Sequence, residues 1–169
     1  AGALILGGCC GTTAEHIRET VHMCSEVSPV PVRDKGITVV SSFAKACEIG
    51  DAPVIIGERI NPTGKKLLKQ ALIEENYEYL VAQGVAQEAD GAHILDVNTG
   101  LPGIDECEAM LKTVSLLQSS TTLPLQIDTA SAQVMERALR YYNGKALVNS
   151  VSGKESVMRS IFPLVTKYG

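Results

Sequence analysis

From residue 53 onward, short apolar runs alternate with longer segments whose apolar residues recur every three or four positions. The apolar runs predict four strands, over residues 54–57, 92–97, 123–129 and 145–151. The segments after them predict helices over about residues 66–88, 105–120, 131–143 and 152–169. Strand-then-helix units with continuously apolar strands predict an α/β fold with a parallel sheet covered on both faces. The connections between strands are expected to be right-handed.

The first 52 residues follow a different pattern. Residues 3–6 (ALIL) form an apolar run between glycines, which is consistent with a buried strand. A glycine-cysteine loop follows, and then a helix that Thr12 or Thr13 can cap. Residues 28–52 contain prolines and glycines, which favour an extended linker, with one short helical turn in the segment SSFAKACEIGD. We therefore expect domains at residues 1–27 and 53–169, joined by a linker at 28–52.

Polar residues follow each of the four predicted strands of the second domain. That edge of a parallel sheet carries the active site both in (β/α)8 barrels and in open α/β sheets. Four units would make half of a barrel, whereas a complete open sheet is the alternative. Both ends of the chain look cut, so we expect a piece of a longer protein. The polar residues are Glu58, Arg59 and Asn61, then Asp96 and Asn98, then Asp128 and Thr129, and finally Asn149, Ser150 and Ser152.

Composition narrows the range of functions. The chain has 169 residues, of which 45% are hydrophobic and 20% charged, as in globular proteins. A net charge of -4 gives no electrostatic reason to bind nucleic acid or an anionic membrane. No apolar stretch is long enough for a membrane span, and no signal peptide is evident. Five cysteines without regular spacing argue against a secreted disulfide scaffold, so we expect a cytoplasmic protein.

The polar strand ends suggest a binding site for a flat heterocycle. Asp96, Asp128 and Asn149 end three separate strands, so their side chains should converge on one edge of the sheet. A carboxylate accepts paired N–H groups from a ring such as a 2-amino-4-oxopyrimidine, and an Asn offers both a donor and an acceptor. The alternative is that each residue caps its own loop. Glu58 and Arg59 could likewise form an internal ion pair, and the NPTGKK turn lacks the spacing of a phosphate-binding P-loop.

The adjacent cysteines Cys9 and Cys10 have two interpretations. They follow a predicted strand inside a glycine loop, where thiolates could bind zinc with one position left open for a substrate thiol. Alternatively, they are buried and unreactive thiols. The other cysteines and the histidines show no ligand spacing and are expected to serve packing or to lie at the surface; they are Cys24, Cys47, Cys107, His16, His22 and His93.

Five motifs in this order resemble the cobalamin-dependent methionine synthase family, at the junction of its homocysteine-binding and methyltetrahydrofolate-binding barrels. The segment GGCCGTTAEHI resembles the last strand and helix of the first barrel. The segments IGERINPTGKK, ILDVNTG, LQIDTA and LVNSVSGK resemble the first four strand ends of the second, pterin-binding barrel. The resemblance covers nearly the whole chain and implies partial (β/α)8 barrels. The NPTG loop and Asp128 also resemble dihydropteroate synthase and the corrinoid iron–sulfur protein methyltransferases.

The resemblance also implies roles for individual residues. Cys9 and Cys10 would bind zinc, which activates homocysteine as a thiolate, with a third cysteine on an earlier strand that is absent here. Asp128 and Asn149 would bond the pterin ring. The wider set of pterin-binding positions would be Glu58, Asn61, Asp96, Asn98, Asp128 and Asn149.

The implied activity is transfer of a methyl group from 5-methyltetrahydrofolate, via cobalamin, to zinc-activated homocysteine. Cobalamin would be bound by a module of the parent chain that this sequence lacks, and the fragment alone is expected to be inactive. The alternatives are a stand-alone pterin-dependent methyltransferase or dihydropteroate synthase-like enzyme, and a non-catalytic pterin-binding protein.

Overall fold

The structure, a computed structural model, describes residues 5–28, 31 and 36–169. The chain divides into two compact units, residues 1–36 and 37–169. The described part of the first unit contains the helix α1 (Ala14–Cys24), and Thr13 stands at its N-cap as predicted. The buried strand predicted at residues 3–6 is wrong for residues 5 and 6, because Ile5 is 92% exposed and Leu6 is 56% exposed, outside any strand. No described residue pairs with this segment as a neighbouring strand would. Residues 3 and 4 lie outside the described residues.

The second unit opens with a β-hairpin where the sequence predicted a helical turn. Strands β1 (Thr38–Ser41) and β2 (Ala46–Ile49) pair antiparallel. The prediction of helix is wrong because Ser42 closes a tight turn instead. Its Oγ accepts hydrogen bonds from the backbone N–H groups of Ala44 (3.1 Å) and Lys45 (2.9 Å). A serine that bonds the following backbone in this way competes with helix formation.

Four parallel strands form the main sheet of the second unit, in the order in which they occur along the chain. They are β3 (Ile56–Ile60), β4 (Ile94–Val97), β5 (Leu125–Asp128) and β6 (Leu147–Asn149). Helices separate and follow them: α2 (Lys66–Ile73), α3 (Tyr77–Ala89), α4 (Glu106–Ser120), α5 (Ala132–Tyr141) and α6 (Glu155–Tyr168). The α/β class and the parallel sheet are confirmed.

The boundaries of the strands and helices differ from the prediction by a few residues, and two of the differences are described here. The first strand of the sheet begins at Ile56 rather than residue 54, and it therefore contains Glu58. The helix predicted over residues 66–88 is two helices. The chain turns between them at Glu75, whose φ of 54° lies in the left-handed region. Asn76 then caps α3, because its side chain accepts a hydrogen bond from the Tyr79 N–H at 3.2 Å.

The hydrophobic core lies between the sheet and the helices. Leu125 and Ile127 of β5 are buried in one cluster with Met110 and Leu117 of α4. The alternate side chains of β5, Gln126 and Asp128, lie on the other face of the sheet and are only half-buried. The sheet was predicted to be covered on both faces, and in β5 the second face is only partly covered by the described residues. The second face is polar and leads to the site described below.

The hairpin contacts the chain just before β6. The backbones of Ser41 and Lys145 exchange two N–H···O bonds, of 2.8 and 3.0 Å. Ser42 Oγ also donates to the Thr122 carbonyl at 2.6 Å, before β5. The hairpin thus lies at the amino ends of the sheet strands, opposite the edge that carries the candidate site. Within the residues that the structure describes, no helix is both long and apolar enough to cross a membrane.

Candidate functional site

Six polar residues lie at the carboxyl ends of the four parallel strands, and we call them the strand-end cluster. Strand register sets their arrangement. Asp96 of β4 is paired with Gln126 of β5, and Asp128 of β5 is paired with Asn149 of β6. Because side chains alternate along a strand, Gln126 and Asp128 share the polar face of the sheet. The cluster consists of Glu58, Asn61, Asp96, Asn98, Asp128 and Asn149.

Asn98 holds the carboxylate of Asp128. Its Nδ2 donates to Asp128 Oδ2 at 2.8 Å, across from the end of β4 to the end of β5. Its Oδ1 accepts the N–H of Gly100 at 2.8 Å, which closes the loop after β4. Asn98 therefore caps the loop after β4 and also fixes the orientation of Asp128.

Asn61 performs the same two tasks at the end of β3. Its Nδ2 donates to Glu58 Oε1 at 3.0 Å, and its Oδ1 accepts the N–H of Thr63 at 2.9 Å. Asn61 is buried, whereas Glu58 is exposed. Lys65 Nζ donates to the Glu58 carbonyl at 2.9 Å, so this lysine of the NPTGKK turn is already engaged.

The ion pair considered for Glu58 and Arg59 is not among the ion pairs of the described residues. The strand carries an irregularity in this place instead, because the β3–β4 register shifts between Gly57 and Ile60. The Arg59 N–H donates to the side chain of Gln87 on α3, with a distance of 2.7 Å to Oε1. Gln87 is buried and thereby satisfies a backbone donor in the shifted segment that carries Glu58.

Asp96 is the most buried carboxylate of the cluster, with 1% of its surface exposed. Its Oδ1 accepts a hydrogen bond from Gln126 Nε2. Its Oδ2 is buried and has no hydrogen-bond partner among the described residues. Burial raises the pKa of the Asp96 carboxyl, the hydrogen bond from Gln126 opposes the rise, and the negative charge of Asp128 adds to it. A buried acceptor without a donor is unfavourable, so Oδ2 is suited to accept an N–H from a ligand.

Sequence reasoning missed two residues that support this edge. Gln126 was overlooked, although its position two residues before Asp128 places it on the same face of β5. Glu106, the first residue of α4, was also overlooked; its carboxylate accepts from Thr129 Oγ1, and its carbonyl accepts from Thr99 Oγ1 at 3.3 Å. The acidic start of a helix that follows a strand-end loop was the available signal for Glu106.

Cys9 and Cys10 are exposed free thiols in the first unit. They precede α1 in a turn that Thr12 closes, where the Cys9 N–H donates to Thr12 Oγ1 at 3.0 Å. The interpretation as buried thiols is therefore wrong. No group of three or more His, Cys, Asp or Glu side chains suited to a metal occurs among the described residues. Two thiols fit part of a zinc site, and the described part of the chain does not complete it.

The structure also describes the surroundings of the other cysteines and of two histidines. Cys24, Cys47 and Cys107 are half-buried. His16 Nδ1 accepts the N–H of Thr13 at 3.1 Å, and His93 Nδ1 accepts the N–H of Ile55 at 2.9 Å. Both histidine rings thus satisfy a backbone N–H group, and the expectation that these residues do not bind a metal stays a prediction.

Comparison with known proteins relates the sequence of this chain to a family. Residues 57–169 match the model of the family described as pterin binding enzyme. Methionine synthase of Mycobacterium tuberculosis is 34% identical over 175 residues, which cover 99% of this chain and 15% of that protein. Methionine synthase of Mycobacterium leprae is 32% identical over 181 residues, with the same coverage of 99% and 15%. These matches confirm the resemblance indicated by the motifs, and the chain spans about 15% of the length of these relatives.

Solved structures with a similar fold are those of dihydropteroate synthase from Xanthomonas albilineans. The structure in complex with 7,8-dihydropteroate has a TM-score of 0.50 and 24% identity, over 68% of this chain and 43% of that one. A second, in complex with indole-2-carboxylic acid and 6-chloroguanine, has a TM-score of 0.51 and 22% identity, over 70% and 43%. At this level of identity the likeness shows the fold alone.

Proposed function

Because residues 57–169 match its family model, the chain belongs to the pterin-binding enzymes, and we propose that the strand-end cluster binds the pterin ring of a folate. The observation that carries this proposal is the convergence of Asp96, Asp128 and Asn149 on one edge of the sheet, from three adjacent strands. Asp128 is held by Asn98, Asn149 is its cross-strand partner, and Asp96 keeps a buried oxygen without a donor.

The chemistry of these side chains fits the edge of a pterin. A 2-amino-4-oxopyrimidine edge offers N–H donors next to a carbonyl acceptor. Carboxylates are acceptors only, so Asp96 and Asp128 suit the N–H groups, whereas the Asn149 amide suits a site that needs a donor and an acceptor. Hydrogen bonds to an ionised carboxylate are about twice as strong as neutral ones. Glu58 and Asn61 would complete the rim at β3.

The finer proposal is that the chain is part of a methionine synthase, the name of the relatives that match nearly all of it. The full-length protein would transfer a methyl group from 5-methyltetrahydrofolate to homocysteine. Residues 53–169 would be the first four units of a (β/α)8 pterin barrel, residues 28–52 a connection between domains, and residues 1–27 the end of a homocysteine barrel. Cobalamin, held by a module outside this chain, would carry the methyl group between the two substrates.

Cys9 and Cys10 would contribute two thiolates to a zinc site in that first barrel, together with ligands from outside the described residues. Zinc bound there would favour the thiolate form of homocysteine. Their exposure supports this role, because a shared site needs thiols that other parts of the protein can reach.

The reaction is tested in the full-length protein with 5-methyltetrahydrofolate labelled on its methyl group, homocysteine and cobalamin. Labelled methionine is the expected product. Formation of a dihydropteroate from a dihydropterin pyrophosphate and 4-aminobenzoate, without methionine, would favour a dihydropteroate synthase. Binding of the folate without either product would favour a non-catalytic pterin-binding protein.

The metal is tested separately by measuring the zinc content of purified wild-type protein and of the variants Cys9→Ala and Cys10→Ala. Each substitution should lower the zinc content, whereas the control Cys107→Ala, a half-buried thiol on α4, should retain it. Equal zinc in all four proteins would exclude Cys9 and Cys10 as ligands.

A further inference from the structure

Gln126 and Asp96 form a polar pair beneath the proposed pterin contacts. They face each other across the β4–β5 ladder. The Asp128–Asn149 pair stands two residues further along β5, towards the carboxyl ends of the strands. The two pairs therefore form successive rows on the polar face of the sheet, and a ring bonded to the upper row would meet the Asp96–Gln126 row below it.

The two oxygens of Asp96 have different partners. Oδ1 accepts from Gln126 Nε2, whereas Oδ2 is buried and has no partner among the described residues. The Gln126 amide thus holds one oxygen of the carboxylate and leaves the other available as an acceptor. An ionised carboxylate with so little exposure is stable only when hydrogen-bond donors compensate for the water it has lost.

We propose that Gln126 is a positioning residue that fixes Asp96 through Oδ1, so that Oδ2 accepts an N–H of the bound pterin. The inference rests on the proposed function, because that function supplies the ligand. It assigns Gln126 a role through Asp96 that is separate from the contacts of Asp128 and Asn149. It also explains why a long polar side chain lies on this strand, between the apolar residues Leu125 and Ile127.

The surroundings of Asp96 determine how the role of Gln126 can be measured. The charged groups that act on Asp96 are Asp128 of β5 and Glu58 of β3, and the amides that act on it are Gln126 and Asn149. Burial and the two negative charges raise the pKa of Asp96, whereas the amides lower it. Removing the Gln126 amide should therefore raise this pKa further. A ligand N–H that needs the ionised form would then be lost at a higher pH.

The test is isothermal titration of the full-length protein with 5-methyltetrahydrofolate, from mildly acidic to mildly alkaline pH. Gln126→Met keeps the length of the side chain and removes the donor. We expect its Kd at neutral pH to rise about tenfold, and its loss of affinity on acidification to begin at a higher pH than in wild type. Gln133→Met is the matched control, because Gln133 is exposed on α5; it should leave both the Kd and the pH profile unchanged.

A second variant, Gln126→Glu, keeps the inference testable if Gln126→Met does not fold. Gln126→Glu places a carboxyl group opposite Asp96, so binding should be weak at alkaline pH and should recover on acidification, when the protonated Glu can donate to Oδ1. That recovery is opposite in direction to the wild-type profile.

Four results would contradict the inference or its premise. Wild-type affinity and pH profile in Gln126→Met would remove the role of Gln126, and an equal loss at every pH would reduce it to a structural one. If Gln126→Met does not fold, failure of Gln126→Glu to recover on acidification would overturn the inference. Absence of binding by the wild-type protein would instead refute the proposed function on which the inference rests.

Discussion

The hydroxyl of Tyr142 joins the hairpin to the sheet, and its removal is the most informative test of the fold. Tyr142 is 6% exposed. Its hydroxyl accepts the N–H of Leu125 at 3.1 Å and donates to the Ser41 carbonyl at 3.0 Å. Tyr142→Phe keeps the ring in the core and removes both hydrogen bonds. The substitution therefore isolates the polar link between β1 and the start of β5.

The loss of stability expected in Tyr142→Phe depends on which backbone groups the substitution leaves without a hydrogen-bond partner. Leu125 is buried, so its N–H would lose its hydroxyl partner in a place that water does not reach easily. A buried donor without an acceptor costs about 1–3 kcal/mol. The Ser41 carbonyl loses less, because it also accepts the Lys145 N–H at 3.0 Å. We therefore expect a loss of about 2 kcal/mol, which corresponds to a roughly 30-fold rise in the local opening equilibrium.

Hydrogen–deuterium exchange of the full-length protein measures this opening directly. Peptides that cover residues 38–46 and 123–128 should exchange roughly 30-fold faster in Tyr142→Phe. Tyr141→Phe is the matched control, because Tyr141 is 52% exposed and the hydrogen bond of its hydroxyl to Ser115 Oγ, at 3.2 Å, is solvent-exposed. Its effect should stay within about 0.5 kcal/mol. Equal exchange in Tyr142→Phe and wild type would refute the energetic role assigned to the hydroxyl.

Three further substitutions test other parts of the structure. Gly144→Ala should lower the free energy of opening of the hairpin by about 1–3 kcal/mol, because the added Cβ would overlap the Ser41 carbonyl. The control is Gly153→Ala, where the added Cβ would lie in open space. Equal hydrogen exchange of residues 38–46 in the two variants would contradict the packing described. Gln87→Met removes the acceptor of the Arg59 N–H, so the free energy of opening of residues 56–60, measured by hydrogen exchange, should fall by about 1–3 kcal/mol. Unchanged exchange of these residues would argue against the support of β3 by Gln87. Asp96→Asn should raise stability at neutral pH, because burial raises the pKa of Asp96 and so makes its charged form costly. That gain, measured by thermal unfolding, should vanish as the pH falls to the ordinary aspartate value of 3.8, whereas a gain independent of pH would exclude the charge as its cause.

The sheet and its helices could be predicted because their pattern is local. Each apolar run and each helical period falls within one segment, and the four strands and the helices after them lie within a few residues of their predicted positions. The hairpin could not be predicted in this way. Its pairing with Lys145 and its bond to Tyr142 depend on residues about a hundred positions away, and its own sequence is short and mixed. The break before α3 did have a local signal, since Asn76 is a favoured N-cap residue.

The candidate site was predictable in its position and not in its contacts. Carboxyl ends of parallel strands meet at one edge, so Asp96, Asp128 and Asn149 could be placed together from the order of the strands alone. Which amide supports which carboxylate depends on side-chain rotamers and strand register. The bonds from Asn98 to Asp128 and from Gln126 to Asp96 therefore emerge only in the structure.

The central claim, that the strand-end cluster binds a pterin, is tested most directly by titrating the full-length protein with 5-methyltetrahydrofolate. Asp128→Asn keeps the shape of the side chain and removes its charge and one acceptor. We expect its Kd to rise at least about tenfold over wild type, because hydrogen bonds to charged groups contribute about 1.5–3 kcal/mol. Asp90→Ala, an exposed residue at the end of α3, should bind like wild type. Equal affinity of the Asp128→Asn variant and wild type would contradict the account.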